Sequence, residues 1–562
     1  MSTVLKIPGD NKQFLGQFKG EFAGNIFHSR SIDLERQKGK VTVAESYSHI
    51  VHSAQVGFSN LITPVAFVRS SADGTDRYFA NAGRIFKTSG TNPETGWAED
   101  AIVSSPTAPL YDLIDFSGAL IVPTATDLSR LASGAWTASW WTAASPTGLA
   151  QAAMGSNPHR FAILAGKLLI TDGRFIHTYD GTIAVTNALT LPTGFEGYRI
   201  KPWTSIGFIF GRSIGGGEVD VFEWDGITGN YINKYPSGDS EVLCMFVAGN
   251  VPYLITKKGS IRRFTGQGFE SVQQFPTVER GLTINNIHPN GVIVDENIVK
   301  IFVDFGASTD SGILDTRILS GIWTFDITNN NLYHSGSVKN TSGADQAQLE
   351  LPEVGAMLLT ATLQGRYLIG ARVYTNYSSA SRYGIFSSDE TDTSNEGYFM
   401  TPKLTAQTVK NFWKRLQLKF KQLDSGDVIR IAYRVIDSTV FPQYETITWL
   451  STTTFSATNA NIQVGDFVEV ISGDNAGMLA RVTAYSGGTV TIDRGLSSST
   501  NSSRVRYHRF IDLGLVSSQG INSEIMRITD RGETIQLLVE IRGTENSPHV
   551  EELLIHSEPR RV

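Results

Sequence analysis

The side chains able to do chemistry are few and irregularly spaced. Of ten histidines in the 562-residue chain, His49 and His52 stand close together, but a zinc site on such a pair needs helical spacing and a third ligand. Neither is visible. Glu223 and Asp225 flank Trp224, which puts two carboxylates on one face of a strand. Glycoside hydrolysis uses two carboxyl groups roughly 5 to 10 Å apart, and spacing along a chain does not give that distance. A solvated or turn-capping pair is the plainer reading of Glu-Trp-Asp-Gly. The one Gly-x-Ser-x-Gly spacing, Gly211-Arg212-Ser213-Ile214-Gly215, runs on into Gly216-Gly217 and not into the helical pattern that a nucleophile elbow needs, and no phosphate-cradling Walker loop or Asp-x-Asp-x-Asp-Gly calcium loop occurs, so nucleophile activation, phosphate binding and calcium coordination lack their usual setting. The expectation is no catalytic residue, no cofactor and no metal.

The elements around these residues form a repeat. Leu169-Ile170-Thr171-Asp172-Gly173-Arg174-Phe175-Ile176-His177-Thr178-Tyr179-Asp180-Gly181 matches Leu254-Ile255-Thr256-Lys257-Lys258-Gly259-Ser260-Ile261-Arg262-Arg263-Phe264-Thr265-Gly266, each a strand, a glycine turn, a strand, an aromatic and a turn. Between them Val221-Phe222-Glu223-Trp224-Asp225-Gly226 supplies a third such ending. The aromatics Tyr179, Trp224 and Phe264 step by 45 and then 40 residues, the blade length of a β-propeller. Weaker copies lie at 78–87, 119–123 with 135–137, 321–326 and 382–386, giving about seven units. One small twisted sheet cannot bury both faces alone, whereas radial stacking buries sheet against sheet. The repeated aromatics, Phe325 included, are therefore expected as packing between blades. The wider step before Phe325 predicts an inserted loop around 306–312.

Ahead of the repeat, Ser31-Ile32-Asp33-Leu34-Glu35-Arg36 and Val41-Thr42-Val43-Ala44-Glu45-Ser46 flank a Gln37-Lys38-Gly39-Lys40 turn. Their alternation predicts a hairpin that starts or closes the propeller, with residues 1–26 as an N-terminal arm. The repeat stops after the polar stretch 387–396. Beyond it, Leu416, Leu418 and Phe420 alternate with Arg415, Gln417 and Lys419, and further strands at 427–435, 534–541 and 552–556 show no helical period. This is the pattern of a β-sandwich. Within it, Val464-Gly465-Asp466-Phe467-Val468-Glu469-Val470, then 480–485 and 489–493, read as a small five-stranded SH3-like barrel. The expected fold is thus all-β: an arm over 1–26, a propeller over 27–396, and a sandwich over 397–562 with a barrel inserted at 455–505.

Composition narrows the function classes. Charged residues are 18% of the chain and the formal net charge is -6, which gives no footprint for general nucleic-acid binding. A lone cysteine, Cys244 in Val-Leu-Cys-Met-Phe, forms no intrachain disulfide and is expected in the core. No stretch approaches the ~18 apolar residues of a membrane span, and the first residues lack an apolar signal region.

The Gly-Asp-x-Val-x-Val and Gly-x-Asn-x-Gly spacing around 465–477 resembles KOW-type modules, which often bind nucleic acid. Only Arg481 and Arg494 are nearby basic residues, so the barrel is expected as an interaction decoration. Taken together, the propeller, the 31–46 hairpin and a sandwich with strands Leu416–Phe420, Ile431–Arg434 and Ile535–Gly543 resemble bacteriophage tail proteins. Podovirus nozzle proteins are similar in joining a propeller to β domains in a sixfold ring, and baseplate or fibre components of siphoviruses combine the same modules differently. The resemblance implies a virion protein without enzymatic activity, in a homo-oligomeric ring that shapes the DNA exit channel and docks adaptor or fibre proteins, with DNA only as passing cargo. Arg415, Lys419 and Lys421 on one strand face are candidates for a subunit interface. Two other classes remain open: a host-glycan-binding tail protein, and a polysaccharide-degrading propeller enzyme. Against sialidase activity, Ser70–Gly74 and Ser308–Gly312 are fragments of the Ser-x-Asp-x-Gly-x-x-Trp box without its tryptophan.

Overall fold

The computed structural model describes residues 3–7, 28–30, 32–33, 42–43, 45–52, 67–70, 76–81, 84–89, 97–100, 112–143, 151–275, 283–305, 320–336, 354–359, 367–374, 381–393, 396–401, 404–405, 411–436, 443–459, 461–470, 478–495, 502–532, 534–543 and 549–559. Among them every regular element is a strand, and none is a helix long and apolar enough to cross a membrane.

Seven four-stranded antiparallel sheets occupy the larger part. Their strands fall within 67–99, 114–137, 161–190, 195–236, 242–274 and 292–336; the seventh combines three strands within 354–393 with the early strand Glu45–His52. Each of the first six is a meander whose strands pair in chain order. The reason lies in the turns. In the third and fourth sheets the third strand ends on an aromatic, Tyr179 or Trp224, and the next residue caps a tight turn: Asp180 Oδ1 accepts from the N–H groups of Thr182 and Ile183 at 2.8 and 2.7 Å, and Asp225 Oδ1 from those of Ile227 and Thr228, both at 2.8 Å. Gly181 and Gly226 then take φ of 99° and 75°, which a side chain would oppose. Asp326 repeats the cap after Phe325, accepting from Thr328 N–H at 2.8 Å.

Consecutive sheets share cores. Tyr78 and Ile85 of the first pack with Leu120 and Val122 of the second; Ile121 and Leu128 of the second with Phe161, Leu168 and Ile170 of the third; Ile200, Phe208 and Trp224 of the fourth join Leu169 of the third to Met245 and Leu254 of the fifth; and Ile255 of the fifth meets Trp323 and Phe325 of the sixth. The seventh sheet contacts the sixth, and its strand Val354–Leu359 also touches Phe67–Ser70 of the first. The series therefore meets its own beginning. Strand Glu45–His52 completes the last sheet by pairing with Ser381–Thr393, His52 opposite Gly384 and Ser48 opposite Ser387, so chain from before the first sheet is stitched into the last. Just upstream, Ile32–Asp33 pairs with Thr42–Val43; the turn expected at 37–40 lies outside the described residues.

The chain changes sheet between Thr393 and Glu396. The second part has a six-stranded sheet in the order His28–Arg30, Glu396–Met400, Thr534–Arg542, Val428–Ile436, Ile511–Val516, with Leu404–Thr405 also on Thr534–Arg542. A five-stranded sheet runs Thr3–Ile7, Val550–Pro559, Asn411–Phe420, Ser523–Arg527, with Arg531–Gly532 also on Asn411–Phe420. They enclose one core containing Trp413, Leu416, Leu418, Ile429, Ile431, Leu537, Val539 and Ile555. Thr3–Ile7, expected within a free arm, is instead an edge strand paired with Leu553–Ser557; the remaining residues of that arm are outside the described ones. Tyr333, from the last strand of the sixth sheet, and Ile32 enter the same core, which fastens the two parts together.

The inserted barrel differs from expectation. It is closed by six strands, Gln443–Trp449, Thr454–Ser456, Thr489–Ile492, Leu479–Ser486, Phe467–Val470 and Ser502–His508, spanning 443–508 where the sequence pattern predicts a five-stranded unit over 455–505. Residues 443–449 carry the period-2 pattern of any half-buried strand, and nothing local assigns them to a barrel and not to the sandwich. The barrel covers the outer face of the six-stranded sheet through Phe467 and Leu479, with Phe510, against Tyr398, Met400, Ala432 and Leu538.

Candidate functional site

The residues singled out for chemistry are used for structure. Tyr179, Trp224, Phe264 and Phe325 are at most 9% exposed and sit in the shared cores. Glu223 and Asp225 do not converge: Asp225 caps its turn, while Glu223 Oε2 accepts from Tyr235 Oη at 2.6 Å and Asn233 Nδ2 at 3.0 Å across the strand pair. Burial, then the Glu223 carboxylate, pushes the Tyr235 hydroxyl up to about 12. His49 and His52 lie on Glu45–His52, paired to the last sheet; their side chains and the 306–312 loop are outside the described residues.

A buried polar cluster that the spacing did not announce lies between the second and third sheets. Asp172 accepts from Gly155 N–H at 2.7 Å, Asn157 Nδ2 at 2.8 Å and His177 Nε2 at 3.3 Å, with His159 Nε2 at 3.6 Å. His159 Nδ1 meets the carbonyl of Thr124 at 3.2 Å, reaching into the second sheet. Burial alone would raise the Asp172 carboxyl, but the rings of His159 and His177 with the Asn157 and Gly155 donors outweigh it and hold it far below the usual carboxylate range. Nearby Asp127 ties Leu128 N–H, Trp141 N–H and the Thr142 hydroxyl. These carboxylates replace the backbone partners that buried turns would otherwise lack.

A second network fixes the barrel to the sandwich. Fully buried Glu469 accepts from Arg506 Nε at 2.6 Å, His508 Nε2 at 2.7 Å and the Tyr398 hydroxyl. Arg430 Nη2 meets Asp493 at 2.6 Å, Arg542 Nη2 meets Glu540 at 2.6 Å, and Arg509 Nε meets Asp466 at 2.9 Å. Arg481 and Arg494, the basic residues that the sequence places near the barrel, face Asp512 at 3.3 Å and Glu540 at 3.5 Å. Their charge is matched inside the protein. Of the strand-face cations, Lys419 pairs with Glu552 at 2.7 Å and its neighbour Lys414 with Glu558 at 2.5 Å, while Arg415 and Lys421 are exposed.

A third grouping joins first strands of different sheets. His288 is 8% exposed and its Nδ1 accepts from Asn290 N–H at 3.1 Å. Asn290 Nδ2 reaches Asp112, just ahead of the second sheet, at 3.4 Å; the other Asp112 oxygen accepts from Phe161 N–H of the third at 2.9 Å. Cys244, on the first strand of the fifth sheet, has its Sγ 3.7 Å from the Pro289 carbonyl. Burial, then Arg160 and Arg199, lowers the His288 imidazole well below its ordinary value. Burial pushes the Cys244 thiol up to about 12 against the opposing pull of Lys201 and Arg199. Its apolar neighbours in the sequence placed Cys244 in the core but gave no signal for the cations around it. Among the described residues, no three His, Cys, Asp or Glu side chains form a group able to hold a metal.

No family model matches the chain, and no curated protein matches it. Among solved structures it is similar to Raptor of Chaetomium thermophilum (TM-score 0.40, 10% identity, covering 62% of this chain and 30% of that one). It is also similar to the extracellular domain of a putative hybrid two component system of B. thetaiotaomicron (0.41, 11%, 80% and 47%), and to the computationally designed Ika8 protein (0.34, 10%, 57% and 96%). The chain thus spans less than half the length of the two natural proteins.

Proposed function

We propose that this chain is a structural, non-enzymatic component of a bacteriophage tail, a nozzle or distal-tail part, in which the seven sheets form a seven-bladed propeller and the barrel is an SH3-like decoration. The observation that carries the reading is how the parts are fastened. Glu45–His52 clasps the last sheet beside the first, Tyr333 plugs the propeller into the sandwich core, and the pairs Tyr398–Glu469, Arg430–Asp493 and Arg494–Glu540 hold the barrel against the sandwich. Buried ionic groups paired across a boundary in this way restrict one body to one position on another. A block fastened at three places suits a part that transmits load and presents fixed surfaces to its neighbours. The tail assignment itself rests on the resemblance of the sequence modules. On this reading copies assemble as a ring, sixfold in nozzle-like proteins, that shapes the DNA exit channel and docks adaptor or fibre proteins.

The deciding experiment is labelling of this chain in purified virions followed by particle imaging. Density or label at the tail, with a defined rotational symmetry, is the expected result. Virions that lack the protein, or label confined to the capsid shell, end the reading.

A further inference from the structure

On the outer face of the five-stranded sheet, register sets Arg415 of Asn411–Phe420 directly opposite Arg527 of Ser523–Arg527 on one side and His556 of Val550–Pro559 on the other. The next residue, Leu416, and its partners Met526 and Ile555 are buried in the sandwich core. Alternation therefore turns Arg415, Arg527 and His556 outward. A register slip between Trp413 and Arg415 leaves both Lys414 and Arg415 exposed, as a bulge does. Glu558 and Glu552 match Lys414 and Lys419. Among the described residues no carboxylate pairs with Arg415 or Arg527, which are both exposed. Burial, then the charge of Arg415, lowers the His556 imidazole below its ordinary value, so that ring stays neutral at neutral pH. A third exposed arginine, Arg531, stands 5.6 Å over the ring of Phe412, its partner in register. Among the described residues Ser523–Arg527 pairs on one side only, so it is an edge of the sheet. Ile525, 57% exposed, shares the outer face with Arg527, while Glu524 alternates to the inner side opposite Leu418.

We propose that the edge strand Ser523–Arg527 is a docking site for an extended acidic segment of another protein, which adds a further strand to the sheet and lays carboxylates beside Arg527 and Arg415. An exposed strand edge is a template for pairing, and native proteins guard it with charge. A guard needs a single charge. Two arginines set against each other across a strand pair cost stability, and an anionic partner converts that cost into charge-assisted hydrogen bonds. In strand addition the main chain supplies affinity and alternate side chains supply selectivity. Outward positions of the added strand fall opposite Arg527 and Ile525, so the recognised pattern is an acidic residue and an apolar residue two positions apart. Nucleic acid fits less well, because a phosphate backbone leaves the edge carbonyls and Ile525 without partners. The site belongs to the sandwich alone and does not depend on the tail assignment.

The test is fluorescence anisotropy of a labelled peptide, Thr-Glu-Thr-Val-Thr-Glu-Thr, titrated with the full-length chain. Its symmetric pattern offers a glutamate to Arg527 and the valine to Ile525 in either strand direction. Saturable 1:1 binding is expected, weakened at least about tenfold by Arg527→Ala and by Arg415→Ala and partly restored in Arg527→Lys. Arg263→Ala, which breaks an exposed pair with Glu270, should leave it unchanged. The same peptide N-methylated throughout keeps its charge but cannot donate from its main chain, and it should bind at least about tenfold more weakly. Absence of saturable binding overturns the proposal, as do unchanged affinity in Arg527→Ala and equal binding of the N-methylated peptide or of one with lysine in place of glutamate. Tighter binding of a heparin hexasaccharide or a single-stranded oligonucleotide, lost in Arg527→Ala, assigns the arginines to another polyanion and overturns it too. So does self-association in sedimentation that Arg527→Ala abolishes, which gives the edge to a second copy of the chain. None of these outcomes needs a virion, so failure here and failure of the tail assignment are told apart.

Discussion

Asn290 Nδ2 donates to Asp112 Oδ1 at 3.4 Å although the two residues are 178 positions apart. With Phe161 N–H on its other oxygen, one buried carboxylate joins the approaches to the second, third and sixth sheets. Chain segments this distant meet only when the whole series is in place, so the bond reports closure. Asp112→Ala should lower stability by about 2 to 4 kcal/mol, since it strands a buried N–H as well as removing a charged acceptor. Asn290→Ala, which loses one long bond, should cost about 1 kcal/mol or less. Urea denaturation of the two variants measures the difference, and equal midpoints would show that the carboxylate ties nothing.

Glu469 carries a heavier load than any surface pair. It sits at 0% exposure among Arg506, His508 and Tyr398, and removing one member of such a group leaves the others charged or polar without a counterpart. Glu469→Ala should cost about 3 to 5 kcal/mol and split the calorimetric transition as the barrel loosens from the sandwich. Breaking the exposed Arg263–Glu270 pair, 2.6 Å apart, should cost less than about 1 kcal/mol. A single unshifted transition in Glu469→Ala would contradict the assigned role.

Asp225→Ala should cost about 1 kcal/mol by uncapping a turn, and Trp224→Ala about 3 to 5 kcal/mol by emptying a core position. Thermal melts read both, and a larger loss for Asp225→Ala would point to a role beyond the turn. This pair also shows what was legible in the sequence. An aromatic followed by Asp-Gly acts within four residues, so its spacing alone reveals the repeating sheets. The pairing of Thr3–Ile7 with Leu553–Ser557 joins the two ends of the chain and has no local signature, which is why those residues read as an arm. The Glu469 and Asp112 clusters were hidden for the same reason: each gathers ordinary residues from segments far apart in sequence, and only topology brings them together. The hydrogen-bond partners Gly155, Asn157 and His177 lie within 17 positions of Asp172, but their types and spacing match no motif. The barrel's first strand, Gln443–Trp449, was misplaced because a period-2 pattern states that one face is buried but not against what.

Acid should reveal Asp172. Its carboxyl titrates far below the ordinary range in the folded protein and near 4 when unfolded, so the unfolded chain takes up the proton first. The stability it contributes is therefore complete above about pH 4 and is lost as the pH falls further toward the folded value. Asp172→Asn should be less stable than the parent at neutral pH and show a shallower decline on acidification. Denaturation midpoints between about pH 5 and pH 2 give the two slopes, and parallel slopes would remove Asp172 from the account.

Cys244 offers a direct test of the fifth sheet's inner packing. Its side chain is fully buried among Phe246, Ile287 and Val299, and burial pushes the thiol up to about 12. The thiolate is the reactive form, so at about pH 8 the native protein holds almost none of it, and reagent must also wait for the strand to open. Labelling with a disulfide reagent should be slower than for a free thiol by several orders of magnitude and should accelerate across the urea transition. Cys244→Ser should fold, at a cost of about 1 to 3 kcal/mol for a buried hydroxyl beside the Pro289 carbonyl. Prompt stoichiometric labelling of the native chain would mean that strand Val242–Ala248 is open to solvent, and the shared core between the fifth and sixth sheets could not then be as described.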